Sequence, residues 1–288
     1  MESTMQGKVC LVTGSSSGIG KVTARELARL GATVVMVCRN RAKGEAAQAE
    51  IKAATGNERV ELILADLTSL ADVRRAAAEF KERYTRLHVL IHNAGGVSSV
   101  RRVTPDGLEV TFVVNYLAPF LLTELLLDVL KASAPARIVN VSSAAHQGGK
   151  IDFDDLQGEK GYSMWKAYGQ AKLALILFTY ELARRLEGSG VTVNALHPGV
   201  IASDFGQGLG KFSRVGWKLA APFMTSVERG AQTTLYLATS PEVEGISGKY
   251  FANRKEVRSS RRSYDQAVRQ RLWQVSEELV QARAFSHT

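Results

Sequence analysis

Apolar residues along the chain fall into short runs that are hydrophobic throughout, separated by longer stretches in which they recur every three to four positions. The runs are Lys8–Thr13, Thr33–Cys38, Val60–Ala65, Leu87–His92, Arg137–Ser142, Val191–Leu196 and Lys249–Ala252. Continuous rather than alternating apolar character predicts parallel strands covered on both faces. Helical periodicity marks Gly18–Leu30, Arg41–Ala54, Ser69–Tyr84, Pro105–Lys131, Ser163–Glu187 and Val227–Thr239, and a last helix at about 264–282 ends the chain. This alternation predicts an α/β fold: one doubly wound domain over residues 1–288, with a roughly seven-stranded parallel sheet flanked by helices. Two segments interrupt the rhythm. Gln147–Tyr162, with Asp152, Asp154 and Asp155, reads as a solvated loop and not as a metal site. Val200–Thr225 mixes Phe205, Phe212, Trp217, Phe223 and Met224 with glycines, and reads as an apolar substrate loop at about 200–225, the alternative being a loop whose aromatics pack on the core.

Composition narrows the class. At 288 residues and 45% hydrophobic content the chain can bury a substantial core. No apolar run is expected to reach the roughly 18–20 residues of a membrane span, and the polar Met1–Gln6 leaves no room for a signal peptide. The expectation is a soluble, cytoplasmic protein. Cys10 and Cys38 lie inside strand-like runs and read as small buried hydrophobes of a reducing compartment. The net charge of +9 is densest at Arg254, Lys255, Arg258, Arg261 and Arg262. This stretch reads as a solvated face; weak peripheral contact with a membrane surface is the secondary reading. No nucleic-acid motif accompanies it, so no nucleic-acid partner is expected.

The first strand meets the first helix at Thr13-Gly14-Ser15-Ser16-Ser17-Gly18-Ile19-Gly20. Gly14 permits a tight turn, and Gly18 and Gly20 let a pyrophosphate and the sheet approach the backbone. Ser16, Ser17 and Ile19 complete the turn, and the helix start offers unpaired N–H groups to an anion. This placement makes the domain Rossmann-type. Arg39 closes the second strand, followed by Asn40, with Lys43 nearby and no acid before Glu45. A guanidinium there suits a ribose 2′-phosphate, so NADP(H) is expected over NAD(H). Asp66-Leu67 ends the third strand, where a carboxylate can accept from an adenine amino group. Asn93-Ala94-Gly95 ends the fourth in a small-residue turn that lets the cofactor lie close.

Tyr168 and Lys172 are four residues apart in a predicted helix, so a phenol and an ammonium share one face. A free phenol titrates near 10, and the cation is expected to favour phenolate. Ser143 follows the fifth strand, with Ser142 the more structural neighbour. Asn115 lies inside an apolar helix and needs a partner there.

Thr13–Gly20, Asp66, Asn93-Ala94-Gly95, Asn115, Ser143, Tyr168-x-x-x-Lys172 and Pro198-Gly199 together resemble the short-chain dehydrogenase/reductase family, in identity and order. Arg137–His146, Leu156–Lys160, Ile176–Leu186 and Ser247–Phe251 resemble its retinol dehydrogenase branch, whereas Gly96–Arg102 and Ala171 depart from it. The resemblance implies NADP(H) as cofactor and a lipophilic aldehyde, ketone or alcohol as substrate. It implies that Tyr168 is the general acid/base and that Ser143 donates to the carbonyl oxygen. Lys172 would bind the nicotinamide ribose, Asn115 would hold a water that relays protons to it, and Pro198, Gly199 and Ser203 would meet the cofactor's carboxamide end. It also implies a homo-oligomer, dimer or tetramer, paired through Pro105–Lys131 and Ser163–Glu187. A steroid or other ketone reductase, or a non-catalytic NADP(H)-binding sensor, are the competing readings.

Overall fold

A computed structural model describes residues 4–199 and 226–282. Its strands are β1 (Val9–Thr13), β2 (Thr33–Cys38), β3 (Val60–Leu64), β4 (Val89–His92), β5 (Ala136–Val141), β6 (Val191–His197), β7 (Lys249–Ala252) and β8 (Lys255–Glu256). They form one sheet in the order β3-β2-β1-β4-β5-β6-β7-β8, parallel except for the β7–β8 pair. The eighth strand is the difference from the roughly seven expected: two exposed residues carry no hydrophobic pattern. The order reverses between β1 and β4, which opens a crevice at the carboxyl ends of those strands.

The helices are α1 (Gly18–Arg29), α2 (Arg41–Thr55), α3 (Leu70–Arg83), α4 (Val110–Lys131), α5 (Met164–Arg185), α6 (Val227–Thr239) and α7 (Gln266–Ala282). Strand residues alternate between two cores, which is why the runs are apolar throughout. Leu11, Val35, Ile63, Leu90, Ile138 and Val193 pack with α3, α4, α5 and α7. Cys10, Val12, Met36, Ile91, Val139 and Leu196 pack with α1, α2 and α6. Both cysteines are buried and free, and burial pushes the Cys10 thiol up to about 12.

α4 corrects two expectations. It begins at Val110 rather than Pro105, because Thr104–Leu108 turns and Val103 bridges to Glu109, whose carboxylate caps the N–H groups of Thr111 and Phe112. It is also long and apolar enough to cross a membrane, contrary to the expectation of no such stretch, but most of it is buried inside the fold. Its outer face carries α7: Phe120 meets Trp273 edge-on, Phe178 of α5 stacks on the same indole, and Tyr116 shares a 2.6 Å hydrogen bond with Ser276. The α4 and α5 surface expected to pair subunits is therefore covered from within the chain at this cluster. Gln147–Tyr162 is a chain of turns in which Asp152 and Asp155 accept backbone N–H groups. Among the described residues no carboxylate, histidine or cysteine cluster could hold a metal. The expected substrate loop, Ser203 included, lies outside the described residues.

Candidate active site

The turn after β1 and the turn after β4 are built against each other. Gly14 has φ +65°, and a Cβ there would come 2.8 Å from Ala94 Cα. A Cβ on Gly20 would come 2.4 Å from Asn93 Nδ2 and from the Gly14 carbonyl oxygen. Thr13 Oγ1 accepts the N–H groups of Asn93 and Ala94, each at 3.0 Å, and Asn93 Nδ2 donates to the carbonyls of Thr13 and Gly14. Ser15 and Ser16 lean on the Cys38 thiol beneath. Ser17, the N-cap of α1, makes no side-chain cap bond, and the first turn has no acidic residue. Gly18, at φ +55°, has open space where its side chain would be. An uncapped helix N-terminus beside an open glycine, with Ile19 half-buried behind it, is a cradle that fits a pyrophosphate.

Along the carboxyl edge, Arg39 is exposed, and among the described residues it makes no ion pair or hydrogen bond. Asn40 caps α2 by accepting the Lys43 N–H at 2.9 Å, and Lys43, in the first turn of that helix, is exposed like Arg39. Asp66 Oδ1 accepts from Thr68 N and Oγ1, while its Oδ2 has no partner among the described residues; Leu67 beside it is half-buried. Pro198 and Gly199 follow β6, with Gly199 at φ +95°.

The second half of the site lies over β4 and β5. α4 widens into a π turn over Val113–Leu117, with α-helical segments on both sides. Pro119 supplies the cause: it has no N–H to give the Asn115 carbonyl four residues earlier. Fully buried Asn115 spends its amide on structure, donating to Gly96 O at 2.7 Å and Thr111 O at 2.8 Å and accepting Gly96 N–H at 3.3 Å. A Cβ on Gly95 would meet Asn115 Oδ1 at 2.7 Å and Lys172 Nζ at 3.3 Å, so these three residues converge. Lys172 Nζ donates to the Val141 carbonyl at 2.9 Å and sits 5.7 Å from the centre of the Tyr168 ring. Ser143 hydrogen-bonds the Tyr168 phenol, while Ser142 points away and donates to the Lys172 carbonyl at 3.0 Å.

The electrostatics differ from the sequence expectation. Burial pushes the Tyr168 phenol up to about 12, with the Ser143 hydrogen bond working against it. Burial also pulls the Lys172 amine down to about 7. Lys172 bonds a carbonyl rather than the phenol, so desolvation of both groups outweighs any help the amine gives the phenolate. The structure thus brings Asn115, Ser143, Tyr168 and Lys172 to the same edge as Gly14, Gly18, Gly20, Asn93, Ala94 and Gly95. Sequence reasoning missed the Thr13 hydroxyl and the Val141 carbonyl as supports, since neither shows in residue type.

A parallel sheet with a glycine cradle and a Tyr/Lys/Ser cluster at its switch point defines a dinucleotide-dependent oxidoreductase. The family pattern for short chain dehydrogenase matches residues 8–213, and the chain belongs to that family. It is 48% identical to retinol dehydrogenase 12 of Mus musculus over 274 residues, covering 95% of this chain and 86% of that protein. It sits in the retinol dehydrogenase-like branch as an oxidoreductase acting on CH–OH donors. A crystal structure of an uncharacterized protein from Mycobacterium paratuberculosis superposes with TM-score 0.79 at 35% identity, covering 97% of this chain and 96% of that one. The Pseudomonas aeruginosa RhlG/NADP active-site complex superposes with TM-score 0.70 at 26% identity, covering 86% and 95%.

Proposed function

We propose that the protein reduces the carbonyl of a lipophilic aldehyde or ketone with NADPH, and oxidises the corresponding alcohol with NADP+, using Tyr168 as general acid/base. The observation that carries this is the Tyr168 phenol, buried, bonded to Ser143 and one helical turn from Lys172, at the edge that holds the glycine cradle. When bound, the nicotinamide supplies or takes the hydride. A phenol near 12 keeps its proton at neutral pH, which suits the donor in reduction. Ser143 donates to the substrate oxygen, and Lys172 holds the nicotinamide ribose. Asn115 commits both amide hydrogens and one lone pair of Oδ1 to the fold, and its main-chain carbonyl, to which Pro119 four residues on has no N–H to donate, is the group we assign to a relay water.

The choice of NADP(H) rests on Arg39, just after β2, and Lys43, in the first turn of α2, cations with no side-chain partner among the described residues. The named relative acts on a retinoid, and the same lipophilic class is proposed here. Cytoplasmic placement and weak membrane contact through exposed Arg254, Lys255, Arg258 and Arg261 belong to the same reading; salt-sensitive pelleting with anionic vesicles checks the latter. The deciding experiment follows NADPH absorbance against retinal, long aliphatic aldehydes, a steroid ketone and a small quinone. Consumption with the lipophilic aldehydes, lost in Tyr168→Phe with NADPH binding retained, is the expected result. Full turnover by Tyr168→Phe would remove the phenol from the chemistry. Tight NADPH binding with no consumption would favour the sensor.

A further inference from the structure

Two histidines outside the proposed chemistry hold one peptide bond inside it. His146 lies in the 3-10 turn Ala144–Gly148, directly after Ser143, and is 0% exposed. Its Nδ1 is 2.6 Å from the Ser143 carbonyl oxygen, and its Nε2 receives the Ser260 N–H at 3.1 Å. An amide N–H can only donate and a carbonyl can only accept, so Nε2 is bare and Nδ1 carries the proton. The ring is neutral, in one tautomer. His197 ends β6, next to Pro198-Gly199, and its Nδ1 accepts the Ala144 N–H at 3.2 Å. By the same argument that nitrogen is bare. The carbonyl of Ser143 and the N–H of Ala144 belong to the same peptide group, so one histidine grips it at each end.

The far anchor is itself tied down. Ser259 Oγ bonds Tyr180 at 2.7 Å and Ser263 at 2.6 Å, and Arg262 donates to the Gly149 carbonyl at 2.7 Å. The His146 ring packs on Tyr250 at 4.9 Å between centroids. We propose that His146 and His197 are positioning residues: both neutral, they clamp the Ser143–Ala144 peptide, aim the Ser143 hydroxyl at Tyr168 and the substrate oxygen, and release it in acid. This rests on the role given to Ser143 above.

Protonating either ring turns an acceptor nitrogen into a donor that faces an N–H group. Among the described residues the groups around the pair are Tyr250 on β7, Tyr180 on α5 through Ser259, Tyr168 on α5 through Ser143, Arg262 at Gly149, and each histidine for the other. No carboxylate is among them and Arg262 is a cation, so no ion pair holds an imidazolium; the Ser143 carbonyl at His146 Nδ1 favours one, but burial outweighs it. Burial accordingly holds both rings below their ordinary value, and His146 lowers His197 further. The depressed value makes the clamp intact above the ordinary imidazole range and lost as pH falls below it.

The test compares the full chain with three variants. His146→Phe keeps a ring against Tyr250 and removes both bonds. The double variant His146→Asn, His197→Asn presents an amide at each Nδ1 position, keeping a grip on the peptide without titrating. Tyr168→Phe is the control for the underlying reading. His146→Phe is expected to lower kcat about ten- to a hundredfold, with NADPH affinity unchanged within about twofold. The wild type is expected to lose activity in acid below the ordinary imidazole range, and the double asparagine variant to lack that limb. Wild-type kcat in His146→Phe, or an unchanged acid limb in the double variant, would overturn the clamp. If His146→Phe does not fold, the pH profile of the double variant decides alone. Turnover by Tyr168→Phe would sink the active-site reading instead, so the two failures are distinguishable.

Discussion

Replacing Lys172 with methionine should abolish turnover and stabilise the fold. The amine is 4% exposed, and burial pulls its pKa from 10.5 down to about 7. In the unfolded chain the same amine binds its proton at any pH below the ordinary value. At pH 7 the difference is about three units, or about 4 kcal/mol, that folding forgoes by burying the group. Methionine removes that cost and fills similar space, but it leaves the Val141 carbonyl without its 2.9 Å donor, a loss of about 1–3 kcal/mol. The net gain is about 2 kcal/mol at pH 7, about 4 °C in Tm for a chain of this size. The sign of the pH dependence follows from linkage. Above pH 7 the unfolded lysine holds a proton that the folded one does not, so wild-type stability rises between about 7 and 10.5. The gap between Lys172→Met and wild type must therefore shrink as pH is raised through that window, and stay constant below it. Calorimetry on the cofactor-free proteins at pH 6, 7, 8.5 and 10 reads both. A variant less stable than wild type at pH 7, or a gap that does not narrow by pH 10, refutes the reasoning.

Arg39→Asp should reverse cofactor preference, because a charge-assisted phosphate contact is worth about 1.5–3 kcal/mol and a carboxylate adds repulsion; the ratio of kcat/KM for NADPH to NADH should fall by at least about tenfold. An unchanged ratio would remove Arg39 from the site. Gly20→Ala, which in an ordinary helix would add about 1 kcal/mol, should destabilise and weaken NADPH binding, because the new Cβ would lie 2.4 Å from Asn93 and Gly14; raised Tm would contradict the packing. Trp273→Ala should cost about 3–5 kcal/mol in urea unfolding, since the indole is 3% exposed between Phe120 and Phe178. A loss below about 1 kcal/mol would mean that α7 does not seal that face. The same substitution uncovers apolar surface on α4 and α5, so sedimentation velocity should show it self-associating more than wild type.

The sheet was legible because its strands are buried on both faces. Runs such as Thr33–Cys38 are hydrophobic without alternation, and only parallel strands between two helix layers require that. The site was legible in its residue types but not in its geometry. The π turn at Asn115 depends on Pro119, and a proline shortly after an asparagine in an apolar helix reads equally as a helix start. Helical periodicity extends back to Pro105, yet Glu109 makes the caps and the helix starts at Val110. Strand β8 has no pattern to find. The tie from Lys172 to Val141 joins a side chain to a backbone carbonyl, which no residue identity encodes. His146 enters the sequence reading only as the last residue of the Arg137–His146 stretch, and its place shows only when Ser143, Ser260 and His197 are seen around it.

The misses at the active edge share a physical cause. The apolar cores are specified by side-chain type, so periodicity finds them. The active edge is specified by how buried polar groups are satisfied. Asn115, Lys172, His146 and Thr13 are all nearly or fully buried, and each is held by main-chain carbonyls or N–H groups of segments far away in sequence. Burying such groups costs stability unless every bond is made. Such bonds fix geometry, and Lys172 shows that the cost is not fully recovered even with one made. An edge assembled this way is sensitive to small shifts: moving the Ser143 peptide changes the aim of a hydroxyl that Tyr168 relies on, while the apolar layers around it stay as they are. On this account, substitutions of the buried polar side chains along the edge should separate activity from stability, as expected of Lys172→Met, whereas substitutions in the two cores should move both together.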